Sequence, residues 1–146
     1  MYKIPRAVKR DPVRRWALPD RVFFACGACH ILAYAVLERS SEAGFRAVWV
    51  RPVVGLTGNH IVAVRGDAAF DYHGWSDWPR LLAHIRAKAR RWWPGWDCTL
   101  VDLPADALVS EAKSLTYDGL HLREPGQFLH DALPRARRFL DRFPGP

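Results

Sequence analysis

The sequence predicts an α+β fold in which an N-terminal helix carrying a cysteine packs on a mostly antiparallel sheet, with additional helices toward the C-terminus. Three observations carry this. A stretch of helix formers with an apolar face covers residues 27–43; β-branched and aromatic residues then recur in short runs; and helical patterns return late in the chain. A chain of 146 residues of which 49% are apolar can bury one sizeable core, so a single domain is expected. Within it, residues 1–21 read as a basic, proline-containing arm, residues 22–103 as the core, and residues 104–146 as C-terminal helices.

Taken in order, the arm carries Pro5, Pro12 and Pro19 among basic residues and is expected to lie extended on the domain. The helix over 27–43 follows, with Gly44 where a C-terminal cap belongs. Residues 47–52 (AVWVRP) and 60–65 (HIVAVR) have the content of core strands. Gly66-Asp67 supplies the glycine-first turn of a tight hairpin, and residues 68–72 return as the partner strand. Ser76 with Pro79 is expected to open a second helix that runs to about residue 92, where Pro94-Gly95 ends it. Residues 98–103 read as a further strand. Residues 106–115 and 124–143 look helical, Pro134 marking a break in the last.

Seven tryptophans, no repeat period and no Ser or Gln bias exclude disordered, fibrous and solenoid classes. Three cysteines, two of them separated by only two residues, do not make a disulfide framework. The apolar run 22–37 follows a basic leader and contains Ala33-Tyr34-Ala35. It is nevertheless interrupted by Gly27 and His30 and short for a membrane span, so neither a signal peptide nor a span is expected. The placement read from this is cytoplasmic, with a secreted effector as the other setting. The net charge of +7 is concentrated in the arm and in residues 80–91, which suits an acidic partner. Nucleic acid is not favoured: cations and tryptophans mix in 86–93, but a solvated helix face explains them and no recognised nucleic-acid motif accompanies them.

Cysteine attacks as the thiolate, which a helix N-terminus and a neighbouring imidazolium favour. Cys29 falls in the first turn of the predicted helix, where its backbone N–H is free to stabilise an oxyanion. The two-residue turn makes the hairpin register testable: it sets His60 opposite His73 and Val62 opposite Asp71. His60 and Asp71 then share a face as diagonal neighbours, so Asp71 can orient an imidazole whose other nitrogen faces Cys29. His73 is on that face as a second imidazole, Asn59 precedes His60, and Trp75 and Trp78 would wall a substrate groove. His30 is expected at the surface, and Cys26 and Cys98 as small buried apolar groups.

Cys26-Gly27-Ala28-Cys29 resembles the nucleophile signature of papain-like proteases, in which the second cysteine attacks, and Gly58-Asn59-His60-Ile61-Val62 is similar to the histidine strand of that superfamily. The short intervals, with the Asp on the next strand, more closely resemble its transglutaminase-like and arylamine acetyltransferase-like branch. The resemblance covers residues 20–75. It implies Cys29 as nucleophile, His60 as base and Asp71 as orienting residue, acting on a peptide or protein amide as hydrolase or acyltransferase without a cofactor. His30 stands where the family has an aromatic residue, and no upstream Gln supplies the second oxyanion donor; Trp16 or backbone is the substitute.

Other readings of the same residues exist. Cys26-x-x-Cys29-His30 also matches c-type haem attachment, for which His60, His73 or another histidine would have to be the second axial ligand. A zinc site from Cys26, Cys29, His30 and His60 is disfavoured because adjacent Cys29 and His30 diverge on a helix. A non-catalytic module using the arm and residues 80–91 to hold an acidic partner is the remaining alternative.

Overall fold

The computed structural model describes residues 2–146. Strands β1 (Arg46–Pro52), β2 (His60–Arg65), β3 (Ala68–Asp71), β4 (Gly74–Asp77) and β5 (Cys98–Leu103) form a single antiparallel sheet in the order β4-β3-β2-β1-β5. Among the described residues there are seven helices: α1 (Arg6–Arg10), α2 (Pro12–Trp16), α3 (Asp20–Ala25), α4 (Cys29–Arg39), α5 (Trp78–Trp92), α6 (Glu111–Ser114) and α7 (Ala132–Leu140). The α+β expectation therefore holds.

Both faces of the sheet are buried, so its central strands read as continuous apolar runs rather than an alternation of apolar and polar. Ala47, Trp49, Ile61, Ala63 and Phe70 meet α4 and α7 on one face. Val48, Val50, Val62, Val64 and Ala69 meet Leu81, Leu82, Ile85 and Ala89 of α5 on the other. Helix α4 is apolar nearly all round, and His30, Ile31, Leu32, Ala33, Ala35 and Val36 are all buried. It ends before a 3-10 turn and Gly44, whose φ of 74° is the expected left-handed cap.

The arm is not extended. Each of its prolines sits at a helix start, where a missing N–H costs nothing: Pro5 caps α1, Pro12 is the first residue of α2, and Pro19 caps α3. Asp11 accepts from the N–H groups of Val13 and Arg14, both at 3.0 Å. Arg135 of α7 fastens the arm to the body. Its guanidinium donates to Asp20 at 2.8 Å and to the carbonyls of Trp16 and Leu18 at 2.7 Å, and it stacks on the Phe23 ring.

Other boundaries shift for local reasons. Ser76 lies in β4, a strand the sequence reading missed, and Asp77 is the cap of α5 through the Arg80 N–H. The expected helix over 106–115 divides into a 3-10 turn (Ala105–Leu108) and α6, because the Ser110 side chain caps a new start. Pro134 does not break the last helix. It occupies the first turn of α7, which Asp131 caps, and most of 124–131 is irregular.

Replacing Arg135 by Met removes the more buried of the two guanidinium partners of Asp20, Arg142 being the other, and the donors to the Trp16 and Leu18 carbonyls. We expect a loss of about 3 kcal/mol in denaturant unfolding. Faster amide exchange across residues 6–18 is expected with it, whereas unchanged exchange there would mean that the arm is held by other contacts.

Candidate active site

Cys29 is brought to the site by a sharp turn between α3 and α4. Gly27 takes φ +106°, and a Cβ at that position would lie 2.2 Å from the Arg15 Nη2, so both the backbone and the neighbour require glycine. The chain then enters α4 at Cys29 with no side-chain cap from Ala28, leaving the Cys29 N–H directed out of the helix end.

The hairpin supplies the other groups. Ala63 pairs with Phe70, Val64 with Ala69 and Arg65 with Ala68, the register expected from a two-residue turn, which continues to Val62 opposite Asp71. As diagonal neighbours, the His60 Nε2–H donates to Asp71 Oδ2 at 2.9 Å. The other carboxylate oxygen, Oδ1, accepts from the backbone N–H and the Nδ1–H of His73, at 2.8 and 2.9 Å. His73 therefore holds Asp71 and does not face the cysteine. The side-chain alternation puts His60 and Asp71 on the α5 side of the sheet, with Val62 and Ala69. Cys29 comes from the opposite side, and its thiol and the His60 ring face one cavity at the open end of β2, where His60 is the first residue and the two groups perturb each other's titration. With Nε2 committed to Asp71, Nδ1 is the nitrogen left for the thiol.

Charge follows from these contacts. Burial pushes the Cys29 thiol up, but hydrogen bonds with His30 and His60 outweigh it and bring it from 9.0 down to about 5. Burial alone would lower His60. Its hydrogen bonds to Asp71 and Cys29 prevail and raise it from 6.5 to about 10. Asp71 is likewise raised by desolvation and then brought well below the carboxylate range by His60 and His73. At neutral pH the site is a thiolate facing an imidazolium, backed by a carboxylate. Cys26 and Cys98 behave oppositely, their thiols raised by desolvation. All three cysteines are free, and Cys26 and Cys98 are half-buried rather than enclosed in the core as expected.

Two further residues reach the site that sequence reasoning did not place there. His30 is buried, not exposed, and its Nε2–H donates to the Arg123 carbonyl at 2.7 Å. The signal was present in the uniformly apolar surroundings of CHILAYAV, since a helix apolar on all sides buries whatever polar residue it carries. Arg15 is also buried, donating from Nη2 to the Cys26 carbonyl at 3.0 Å; nothing local distinguishes it from the other cations of the arm. Asn59 flanks the site, its Oδ1 accepting from Trp49 Nε1 at 2.8 Å.

Trp75 and Trp78 do not wall the cavities beside Cys29. Trp75 lies against Phe70, 4.7 Å between ring centroids, with Nε1 donating to the Phe143 carbonyl. Trp78 is the first residue of α5 and is buried between that helix and the sheet. Both alternate into the layers rather than toward the open end of β2. The turned-in His30 commits its Nε2 to Arg123, which counts against Cys26-x-x-Cys29-His30 as a haem-binding stretch. Among the described residues, no group of three or more His, Cys, Asp or Glu side chains is placed to hold a metal ion, and no helix is long and apolar enough to cross a membrane.

No family model, curated protein or solved structure matches this chain.

The coupled shifts set a pH profile for stability. Between 6.5 and 9.0 the native pair and the unfolded residues bind the same number of protons, so this pair adds no pH dependence. Below 6.5 the unfolded histidine takes up a proton that the native pair accepts only near pH 5, and stability falls with falling pH. Above 9.0 the unfolded thiol loses its proton while native His60 keeps its own to about 10, and stability falls with rising pH. In the native protein the ultraviolet absorbance of the Cys29 thiolate should titrate with a midpoint of about 5. In His60→Ala the midpoint should rise by units; an unmoved midpoint would remove His60 as the source of the shift.

Proposed function

We propose that this protein is a cysteine-dependent amide hydrolase or acyltransferase, with Cys29 as nucleophile, His60 as proton shuttle and Asp71 as orienting residue. The observation that supports the reading is the juxtaposition of the Cys29 thiol and His60 on one cavity of about 230 Å³, with His60 hydrogen-bonded behind to the buried Asp71 carboxylate at 2.9 Å. Thiol, base and orienting acid are the parts that acyl transfer requires.

The steps follow from the charges. The Cys29 thiolate attacks the carbonyl carbon of a peptide or protein amide, and the Cys29 backbone N–H donates to the oxygen that becomes negative. The imidazolium of His60 gives its Nδ1 proton to the departing amine as the C–N bond breaks, leaving a thioester on Cys29. Water or a second amine then attacks the thioester, neutral His60 takes the proton, and the thiolate leaves with the ion pair restored. Asp71 stays ionised throughout and fixes the imidazole by its bond to Nε2. Helix first, hairpin second, in the order Cys, His, Asp, is the arrangement that led to the comparison with the papain-like and transglutaminase-like superfamily, and we place the chain there as part of the same proposal. Hydrolysis and transfer differ only in the second nucleophile.

Iodoacetamide at mildly acidic pH should alkylate Cys29 at least about a hundredfold faster than Cys26 or Cys98. His60→Ala should abolish that advantage, and Asp71→Asn should reduce it, in chains that melt as the wild type does. Equal labelling of all three cysteines, read by peptide mass spectrometry, would defeat the proposal.

A further inference from the structure

Two cavities adjoin beside Cys29 and share Arg15, Gly27, Asn59 and His60 as their common wall. The smaller contains Cys29. The larger, about 520 Å³, runs between the arm and α5. Arg15, between them, is only 8% exposed. Of the five N–H donors a guanidinium carries, one on Nη2 meets the Cys26 carbonyl, while the buried Nε has no acceptor at all. Its face lies over the Phe128 ring, 5.4 Å away. Among the described residues no carboxylate pairs with it. A buried cation without a counter-charge is costly, and an unpartnered donor beside it adds to that cost.

The surroundings do not supply the missing charge. Neither cavity is lined by an Asp or Glu. Lys3, Lys9 and Lys88 line the larger one, so the two basic stretches of the sequence converge there. Arg123 lines the smaller. Its charge lies near Glu111, which also accepts from His121 at 3.0 Å, so Arg123 is partly met where Arg15 is not. Asp71 is already bound by His60 and His73.

We propose that Arg15 is a specificity-determining residue that receives a carboxylate of the substrate, so that the enzyme acts on acyl compounds or peptides bearing a carboxylate close to the attacked carbonyl. A planar fork with a free Nε–H suits a carboxylate better than a point charge would. The lysines of the larger cavity would draw such an anion in. This rests on Cys29 being the nucleophile of the proposed function.

Iodoacetate and iodoacetamide test it, because they differ only in carboxylate against amide, and each leaves Cys29 as a thioether by displacing iodide. In the wild-type protein, iodoacetate should alkylate Cys29 about tenfold faster than iodoacetamide, while Cys98 shows no such preference. His60 attracts the anion in every variant, so the share of Arg15 is read as the fall in this ratio. Arg15→Gln should remove most of it, and Arg15→Lys should leave an intermediate value, with folding followed by thermal melting. A wild-type ratio at Cys29 no greater than at Cys98, or a ratio unchanged in folded Arg15→Gln, overturns the carboxylate subsite while the nucleophile stands. Failure of iodoacetamide itself to single out Cys29 instead removes the nucleophile and the subsite together.

Discussion

Asp71 carries a full negative charge at the end of β3 with its side chain wholly out of contact with solvent, and the charged groups of the site are arranged around that fact. An ionised carboxylate in such a place costs several kcal/mol unless its lone pairs are met. Three N–H groups meet them, two from His73 and one from His60. His60 is thereby kept protonated far beyond its ordinary range, and it joins His30 in holding Cys29 as thiolate. The thiolate in turn helps to keep His60 charged, so the reactive state of the sulfur depends in part on a carboxylate that does not touch it.

The sheet makes this arrangement rigid. β2 and β3 are packed on both faces, by α4 on one side and α5 on the other, and a two-residue connection leaves the hairpin no freedom to slip. The loop before His60 is also held. Trp49 binds Asn59 and Trp96 donates to the Thr57 carbonyl at 2.8 Å, so the first residue of β2 is fixed from both layers of the protein. Cys29 needs only to be delivered to the open end of that strand. Gly27 does this, in a turn that no larger residue would permit beside Arg15.

The arm helps to wall the cavities beside Cys29. By folding as three short helices locked by Arg135, it places Arg15 against Gly27 and brings Lys3 and Lys9 to face Lys88 across a cavity. Part of the +7 charge of the chain is thus gathered at one cavity that no acid lines. This gives the charge imbalance a location that composition could not.

The local parts of the site were legible from the chain itself. The turn at Gly66-Asp67 determines the register, and register determines that His60 and Asp71 meet, because both are consequences of a few adjacent residues and the two-residue period of a strand. The α4 start at Cys29, the Gly44 cap and β5 were legible for the same reason. What depended on distant partners was not. The prolines of the arm are compatible with extended chain or helix starts, and contacts from Arg135, 115 residues from Asp20, chose the helices. His30 turns inward because Arg123 offers it a carbonyl 93 residues away. Trp75 and Trp78 are claimed by the layers that cover the sheet. Arg15 differs from Arg14 only in being buried, and burial belongs to the packed molecule. The sequence by itself determined α4, four of the five strands and the pairing of His60 with Asp71, through local geometry. Only the tertiary structure decided which cation stands unpaired beside the sulfur, because that depends on what packs against it.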